Sequence, residues 1–231
     1  MLNQPEINWQ DKQFFLFDFD NILLDSKSDH LFWQDIMPKV YAQQKSLNVE
    51  QARALLTSYL NEVADKLDYH CIDYWEKKIG INILDLRKLN SHLIKLNKYS
   101  EKFLFYINNL KPQPNVYLIS NAHPKILDYQ IKLMGLECFF NNILSSHIIG
   151  HIKEAPLFWQ AYIKKFNINP QNAILFDNNL KSAKNAYNLG INVIINNIDN
   201  KKFDDKNLQY INNLADLLPQ TLTKAPIFCT A

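Results

Sequence analysis

The chain has 231 residues, 47% of them hydrophobic and 13% aromatic, which suits one sizeable core or a core with a smaller insert. Its 25 basic and 23 acidic residues are mixed along the chain and give a net charge of +2, so we expect neither nucleic acid nor a membrane as partner. Four glycines are too few for the glycine-rich loops that bind dinucleotides or nucleoside triphosphates.

We recognise no targeting signal in the sequence, and the cysteine spacing is that of an ordinary intracellular protein. No apolar run reaches the roughly 18 residues of a membrane span, and residues 1–11 lack the features of a signal peptide. We therefore expect a cytoplasmic location. Cys71, Cys138 and Cys229 have neither metal-type nor redox-type spacing, which predicts buried, reduced thiols. The oligomeric state is left open by the sequence.

The first predicted element is a strand that ends in two carboxylates. The apolar run 14–17 leads into Asp18-Phe19-Asp20, and such a run is typical of a strand buried on both faces of a parallel sheet. Ligands of open α/β sheets bind beyond the carboxyl ends of the strands. Because alternate residues of an extended chain point the same way, Asp18 and Asp20 repel each other unless a cation or a shared proton intervenes. The pair therefore predicts a metal-assisted site.

Residues 26–96 predict helices and no strand. Apolar residues recur there at helical spacing, for example at Leu31, Phe32, Ile36 and Val40. From residue 99 onward, short apolar strands alternate with helices, which is the pattern of βαβ units in a parallel sheet. The chain is therefore predicted to be an α/β protein with an all-helical insert.

Three further predicted strands also lead to polar residues. In chain order the strands span 116–119, 143–146 and 173–177, and they lead to Ser120, Lys153 and Asp177. A helix is predicted to begin at Pro124, where free backbone N–H groups can bind an anion. A strand at 192–195 is expected to close the sheet, a helix is expected near 214–218, and the residues after Pro219 are expected to be irregular.

The order Asp18/Asp20, Ser120, Lys153, Asp177 resembles the four motifs of the haloacid dehalogenase-like superfamily of phosphatases. This resemblance implies a Rossmann-like core of residues 1–25 and 97–231, with a helical cap of residues 26–96 between the first and second motifs. The chain is further similar to bacterial purine 5′-nucleotidases active on GMP and IMP. That similarity is carried by segments 7–11, 32–33, 71–75, 120–124, 144–147 and 153–154.

The resemblance assigns a role to each motif. Asp18 is the expected nucleophile, which forms an aspartyl phosphate, and Asp20 is the expected acid and base for the leaving oxygen and the attacking water. Lys153 supplies positive charge to the transferred phosphoryl group.

Further residues are expected to bind the substrate and a metal ion. Phosphate or substrate binding is predicted for Ser120, Asn121, His123 and Asn21. Mg²⁺ suits a site made of oxygen atoms. Its predicted ligands are Asp18, Asp20, Asp177 and Asn178. For His147 and His151, by contrast, we expect structural or solvated positions.

The chain departs from the family pattern at two motifs. The first motif usually continues with glycine and threonine, whereas Asn21 and Ile22 stand here. Asn tolerates the positive φ that a glycine would provide. The fourth motif usually has two aspartates, but here reads Asp177-Asn178, so the metal site loses one negative charge. This substitution predicts weaker magnesium dependence or a protein that has lost catalytic activity.

The motifs and the resemblance together predict a magnesium-dependent phosphomonoesterase that acts on a small phosphate ester, and the similarity to purine 5′-nucleotidases implies purine nucleoside 5′-monophosphates as its substrates. Two alternatives stay open. One is a phosphatase of the same fold that acts on sugar phosphates or other small metabolites. The other is a nucleotide-binding protein with weakened catalysis. The sequence leaves the base preference and the substrate-reading residues of the cap unassigned.

Overall fold

One parallel sheet with the strand order β3-β2-β1-β4-β5-β6 organises the molecule. The computed structural model describes residues 7–25, 27–196, 205 and 207–224. The strands are β1 (Phe14–Phe17), β2 (Asn115–Ser120), β3 (Asn142–Ser145), β4 (Ala173–Asp177), β5 (Asn192–Asn196) and β6 (Gln209–Ile211). The α-helices are α1 (Lys27–Leu31), α2 (Met37–Lys45), α3 (Val49–Glu62), α4 (Ile72–Ile79), α5 (Ile83–Leu89), α6 (Ser100–Asn108), α7 (Pro124–Met134), α8 (Pro156–Phe166), α9 (Leu180–Tyr187) and α10 (Gln220–Lys224).

Strand β1 lies in the middle of the sheet, between β2 and β4. Phe15, Leu16 and Phe17 are completely buried. Phe15 and Phe17 pack into one hydrophobic core with residues of α6 and α7, while Leu16 packs into a second core with residues of α8 and α9. Alternate residues of a strand face opposite sides of a sheet, so an uninterrupted apolar run is required when helices cover both sides. The predicted α/β fold with a Rossmann-like parallel sheet is confirmed.

The helices α1 to α5 form a separate layer with its own hydrophobic core, which includes Phe32 and Trp75. The chain enters and leaves this layer at adjacent points, since Leu24 and Leu96 form an antiparallel bridge. The layer also contacts the sheet-bearing part, because Ile126 of α7 belongs to its core. The division at residues 26–96 remains a prediction, and residue 26 lies outside the described residues.

Two predictions about the end of the chain are wrong. The sheet does not close at β5, because β6 pairs with β5 in parallel. Strand β6 has three residues, of which Ile211 is the buried one, and so short an element has no readable periodicity. The residues after Pro219 begin with helix α10. A proline directly before a helix is compatible with it, because the first N–H groups of a helix have no intrahelical partner.

The predicted burial of the cysteines is also wrong. Cys71 and Cys138 are free thiols, as expected, but Cys71 is half-buried and Cys138 is exposed. Cys138 lies in a short 3-10 turn after α7, where the apolar pattern is too brief to indicate which side faces the core. Cys229 lies outside the described residues. In the described part of the chain, we find no helix whose length and apolar character would let it cross a membrane.

Candidate active site

The carboxyl ends of β1, β2 and β4 bring the motif residues together. Asp18 directly follows β1, and its N–H continues the sheet by donating to the carbonyl of Phe176 at 2.9 Å. Ser120 and Asp177 are the last residues of β2 and β4. Parallel strands end at the same edge of a sheet, so residues far apart in sequence meet there. Asp18, Ser120 and Asp177 are all buried.

Lys153 lies at the centre of this cluster. Its Nζ is 2.6 Å from Oδ1 of Asp18 and 3.2 Å from Oδ2 of Asp177. Burial opposes its charge, but the carboxylates of Asp177 and Asp18 outweigh burial and raise the pKa of Lys153. Lys153 is therefore a permanently charged group inside the site, in contact with the predicted nucleophile.

Asp177 already has four hydrogen-bond donors. Its Oδ1 accepts from the N–H groups of Asn178 and Asn179, at 2.8 and 2.9 Å. Its Oδ2 accepts from Oγ of Ser182 at 2.8 Å and from Lys153 at 3.2 Å. This arrangement suits a residue that positions Lys153, and the prediction that Asp177 ligates a metal stays a prediction.

Glu154 joins three loops around the site and was not among the predicted site residues. Its Oε2 accepts from Nδ2 of Asn121 at 2.8 Å, and its Oε1 accepts from Nδ2 of Asn179 at 2.9 Å. Oδ1 of Asn121 in turn accepts from the N–H of Lys153 at 3.0 Å. The side chain of Asn121 is thus used to hold the Lys153 loop. The sequence feature that could have identified Glu154 is its position directly after Lys153.

The turn after Asp18 uses the two residues that depart from the family pattern. Asn21 has a φ of +64°, as its replacement of glycine predicted. Nδ2 of Asn97 shares its two hydrogens among the carbonyls of Asn21, Ile22 and Leu24, at 3.3, 3.0 and 3.2 Å, which fixes the turn. Ile22 is completely buried. The substitution of threonine by isoleucine therefore adds to the core, and the contact of Asn21 with substrate stays a prediction.

Asp20 has the pKa expected of a proton donor near neutral pH. Burial, and then the negative charge of Asp29, raise its pKa to about 6, against partial opposition from Arg87, Lys153 and a hydrogen bond from Ser120. The two members of the pair are thus in different surroundings, because Asp18 contacts an ammonium group and Asp20 does not. Burial raises the pKa of both carboxyl groups, but the contact with Lys153 favours the charged form of Asp18, which a nucleophile requires, while Asp20 can act as the acid.

The charges of the cluster suit a divalent cation. Burial raises the pKa of Asp18 well above its usual range, and Asp177 and Asp20 raise it further, while Lys153 lowers it. Three carboxylates therefore lie near one ammonium group, which contacts Asp18 and Asp177, and the negative charge is not fully compensated. Among the described residues, the side chain of Asn178 has no hydrogen bond, so its amide oxygen is free to bind a cation. Carboxylate and amide oxygens fit magnesium, with one charge fewer than a second aspartate would give.

A cavity of about 230 Å³ opens between the helical layer and the sheet edge, beside Asp20. Arg87 pairs there with Asp29, and its guanidinium lies 3.7 Å from the centre of the Phe32 ring. Phe32 begins a short π-helical segment (Phe32–Ile36), a rare conformation that often occurs at functional sites. His70 also lines the cavity, and burial lowers its pKa to about 4. The sequence did not identify Arg87, Asp29 or His70 as site residues.

His123 lies at the start of α7 and faces the helical layer. Its Nδ1 accepts from the N–H of Lys125 at 3.3 Å, and its Nε2 is 3.5 Å from Oδ2 of Asp73. The rings of His123 and His147 are 5.0 Å apart, and burial lowers the pKa of both. His123 also lines the cavity beside Asp20, so the geometry allows its predicted contact with substrate, which stays a prediction.

Comparison with known proteins identifies relatives over most of the chain. The sequence model of the haloacid dehalogenase-like hydrolase family matches residues 15–196. The GMP/IMP nucleotidase YrfG of Escherichia coli strain K12 is 26% identical over 185 residues, which are 80% of this chain and 82% of YrfG. The GMP/IMP nucleotidase YrfG of Shigella flexneri matches to the same extent.

Solved structures share the fold. A HAD phosphatase from Thermococcus onnurineus has a TM-score of 0.77 at 17% identity, covering 89% of this chain and 95% of its own. The HAD hydrolase YfnB from Bacillus subtilis, bound to magnesium, has a TM-score of 0.61 at 16% identity, with coverages of 89% and 96%. The L-2-haloacid dehalogenase from Xanthobacter autotrophicus has a TM-score of 0.59 at 14% identity, again with coverages of 89% and 96%.

Proposed function

The chain belongs to the haloacid dehalogenase-like hydrolases and is a phosphatase of that family, and on this premise we propose that it hydrolyses purine nucleoside 5′-monophosphates with the help of magnesium. The observation that carries the proposal is the contact between Lys153 and Asp18 next to the cavity that Asp20 lines. The relative named GMP/IMP nucleotidase supports GMP and IMP as the substrates. The cytoplasmic location remains a prediction from the sequence.

In this proposal Asp18 attacks the phosphorus atom while the bond to the nucleoside oxygen breaks. The carboxylate becomes an aspartyl phosphate, and Asp20 gives its proton to the departing oxygen. Water then attacks the phosphorus atom, Asp20 takes a proton back, and Asp18 is released with inorganic phosphate. Lys153 holds positive charge beside the transferred group through both steps.

Asp20 favours a phosphate ester over a haloacid as the substrate. A halide ion is a very weak base and leaves without a proton, whereas a sugar alkoxide needs one. With a pKa of about 6, Asp20 retains some of the protonated form near neutral pH. This difference matters because the similar structures include a dehalogenase.

Magnesium would be held by Asp18, Asp20 and the amide oxygen of Asn178, with Asp177 behind Lys153 as a fourth predicted ligand. Two observations support this assignment: the charge of the carboxylates is only partly compensated, and the amide of Asn178 has no hydrogen bond within the described part of the chain. When bound, the ion would neutralise charge on the phosphoryl group and on the nucleophile. The relative YfnB was solved with magnesium bound.

We assign recognition of the base to Arg87 in the cavity, where its pairing with Asp29 orients the guanidinium. An arginine can donate two hydrogen bonds to O6 and N7 of guanine, and hypoxanthine presents the same two acceptors. Adenine has an amino group in place of O6, which repels the donor. Phe32 already lies against the Arg87 guanidinium and holds its plane. Recognition by Arg87 would therefore favour hydrolysis of GMP and IMP over hydrolysis of AMP.

Phosphate release from GMP, IMP, AMP, a sugar phosphate and an aryl phosphate, with and without magnesium, tests the proposal. We expect GMP and IMP to be the best substrates, and Asp18→Asn to abolish release. Better hydrolysis of the sugar phosphate would favour the metabolite phosphatase. If the unmodified protein released no phosphate but bound GMP, the weakened nucleotide-binding protein would be the better description.

A further inference from the structure

A second group of metal-ligating side chains lies at the junction of the helical layer and the sheet-bearing part. One ligand atom each from Cys71, His123 and His147 lie within 4.8 Å of one another. Cys71 directly precedes α4 in the helical layer, His123 directly precedes α7, and His147 follows β3. The three residues are separated in sequence by 52 and 24 positions, so the fold alone assembles them.

A second observation points to a ligand at this cluster. Nε2 of His147 is buried and makes no hydrogen bond of good geometry among the described residues, although the backbone of Asn121 and of His70 interacts with the ring. A buried imidazole nitrogen without a partner loses its hydrogen bond to water and gains nothing in return. Metal coordination would satisfy it, because an imidazole nitrogen binds a metal through the same lone pair that accepts hydrogen bonds.

We propose that Cys71, His123 and His147 bind a divalent transition-metal ion, with Zn²⁺ as the best fit, and that this ion joins the helical layer to the core. One thiolate and two imidazoles form a donor set typical of zinc and unsuited to magnesium, which takes oxygen ligands. A tetrahedral ion with zinc-type bond lengths would separate its ligand atoms by about 3.5 Å. The observed cluster therefore needs small side-chain movements to close on the ion.

Asp73 extends the site from the same element as Cys71. Its Oδ2 is 3.5 Å from Nε2 of His123, and its Oδ1 accepts from Nζ of Lys125 at 2.8 Å. Either nitrogen of His123 can ligate only if the 3.3 Å contact between Nδ1 and the N–H of Lys125 opens, because a neutral imidazole has a single lone pair. Ligation through Nδ1 leaves Nε2–H to donate to Asp73, and ligation through Nε2 lets Asp73 complete the coordination as a fourth ligand. Cys71 and Asp73 thus both connect the helical layer to α7, and binding of the ion would tighten this junction.

The site is separate from the predicted magnesium site. It consists of nitrogen and sulfur donors, and none of its three ligands is a predicted magnesium ligand. His123 is shared with the predicted substrate contacts, so a bound ion would withdraw one of its nitrogens from the substrate. A transition metal would therefore compete with substrate as well as restrain the helical layer.

Cobalt(II) is the probe that separates this site from the carboxylates, because a thiolate ligand gives a charge-transfer absorption in the near ultraviolet that oxygen ligands do not give. We expect this absorption to saturate at one equivalent of cobalt in the unmodified protein and to be bleached by zinc. Cys71→Ser should abolish it. The matched control, Cys138→Ser with Cys229→Ser, leaves Cys71 as the remaining thiol and should retain it.

A second variant tests the site without touching the thiol. His147→Gln breaks no hydrogen bond of Nε2 and should weaken cobalt binding at least about tenfold, since even residues behind a metal ligand contribute about 10- to 100-fold. Circular dichroism of each variant checks that it is folded. Hydrogen exchange of α4 should slow on addition of zinc to the unmodified protein and stay unchanged in Cys71→Ser.

The proposal fails if the unmodified protein shows no thiolate absorption with cobalt, or if Cys71→Ser keeps it. It also fails if the cysteine control loses the absorption, because the thiolate would then belong to Cys138 or Cys229. Binding and exchange are measured without substrate. A negative result therefore leaves the proposed phosphatase function untouched, and the absence of phosphate release would leave this site untouched.

Discussion

Nζ of Lys153 lies 2.6 Å from Oδ1 of Asp18, and only 2% and 8% of their side chains are exposed. The contact is made inside the protein, where a charge without a partner is costly. Lys153 also contacts Asp177, so one ammonium group pairs with two buried carboxylates and compensates part of their charge. The same lysine therefore stabilises the fold of the site and prepares it for an anionic substrate.

Lys153→Met should destabilise the protein strongly. Removing one partner of a buried ion pair costs about 3–5 kcal/mol, because the remaining charges stay buried without compensation. Urea unfolding measures the free energy of unfolding, and Lys164→Met, an exposed lysine in α8, serves as the control and should stay within about 0.5 kcal/mol. A loss below about 1 kcal/mol in Lys153→Met would contradict the pairing.

Asp20→Asn should stabilise the protein above pH 6. The folded protein holds the Asp20 proton more tightly than the unfolded chain, since its pKa is raised from 3.8 to about 6. Stability is therefore lost as the pH rises from about 4 to about 6, and stays lost above that range. Removing the charge should recover roughly 3 kcal/mol at pH 7.5 and about half of that at pH 5.

Urea unfolding of Asp20→Asn at the two pH values checks this expectation. The matched control is Asp65→Asn, because Asp65 has an 85% exposed side chain and should give the same small effect at both pH values. A gain that does not grow with pH would mean that Asp20 is not protonated more readily in the folded protein.

Glu154→Gln should lower kcat with a smaller effect on KM. An amide can accept from one of the two asparagines, but its own NH₂ group then opposes the other, so one of the three loops is released. A displacement of Lys153 by about 1 Å can cost about 100-fold in rate. Steady-state kinetics on GMP test this, with the exposed Glu137→Gln as control. An unchanged kcat would show that Glu154 does not position Lys153.

Asn178→Asp should lower the magnesium concentration that gives half-maximal activity. The substitution adds one negative charge at the carboxyl end of β4, and affinity for hard cations rises with the charge of their ligands. Magnesium titration of phosphate release measures the effect, and Asn188→Asp, at the exposed end of α9, adds the same charge elsewhere. If both variants lower the half-maximal magnesium concentration equally, the cause is the change in net charge and not a ligand at position 178.

Arg87→Lys should reduce the preference for GMP and IMP over AMP. Lysine keeps the charge but loses the planar pair of donors, which contributes about 1–3 kcal/mol of discrimination between bases. The ratio of kcat/KM for GMP and AMP should therefore fall about 10-fold or more. Arg53→Lys, in α3, is the control. If all three nucleotides lose activity equally, Arg87 supports the cavity without reading the base.

Several features were predictable because their physical cause is local. The central strand β1 follows from an uninterrupted apolar run, and the positive φ of Asn21 follows from the small polar residue that replaces glycine. The short elements were missed for the opposite reason. Strand β6 and helix α10 contain three and five residues, which is too few for a pattern to repeat.

Some residues of the site could be predicted from their spacing in the sequence, and others could not. Asp18, Ser120 and Asp177 lie at the ends of predicted strands and Lys153 lies in the loop after another, and strand ends are where chemistry is expected in this fold class. Glu154 was missed because its partners are Asn121 and Asn179, 33 and 25 residues away. Its function consists of holding other loops, and such a role leaves no motif of its own.

The sequence by itself determined the parallel sheet, the helical insert and the order of the charged residues at the strand ends, because each depends on hydrophobic periodicity along a continuous segment. Only the tertiary structure decided which charges meet. Asp29 and Arg87 are 58 residues apart, and Cys71, His123 and His147 come from different elements. Contacts of this kind depend on how elements pack against one another, and the spacing of residues along one element carries no information about that packing.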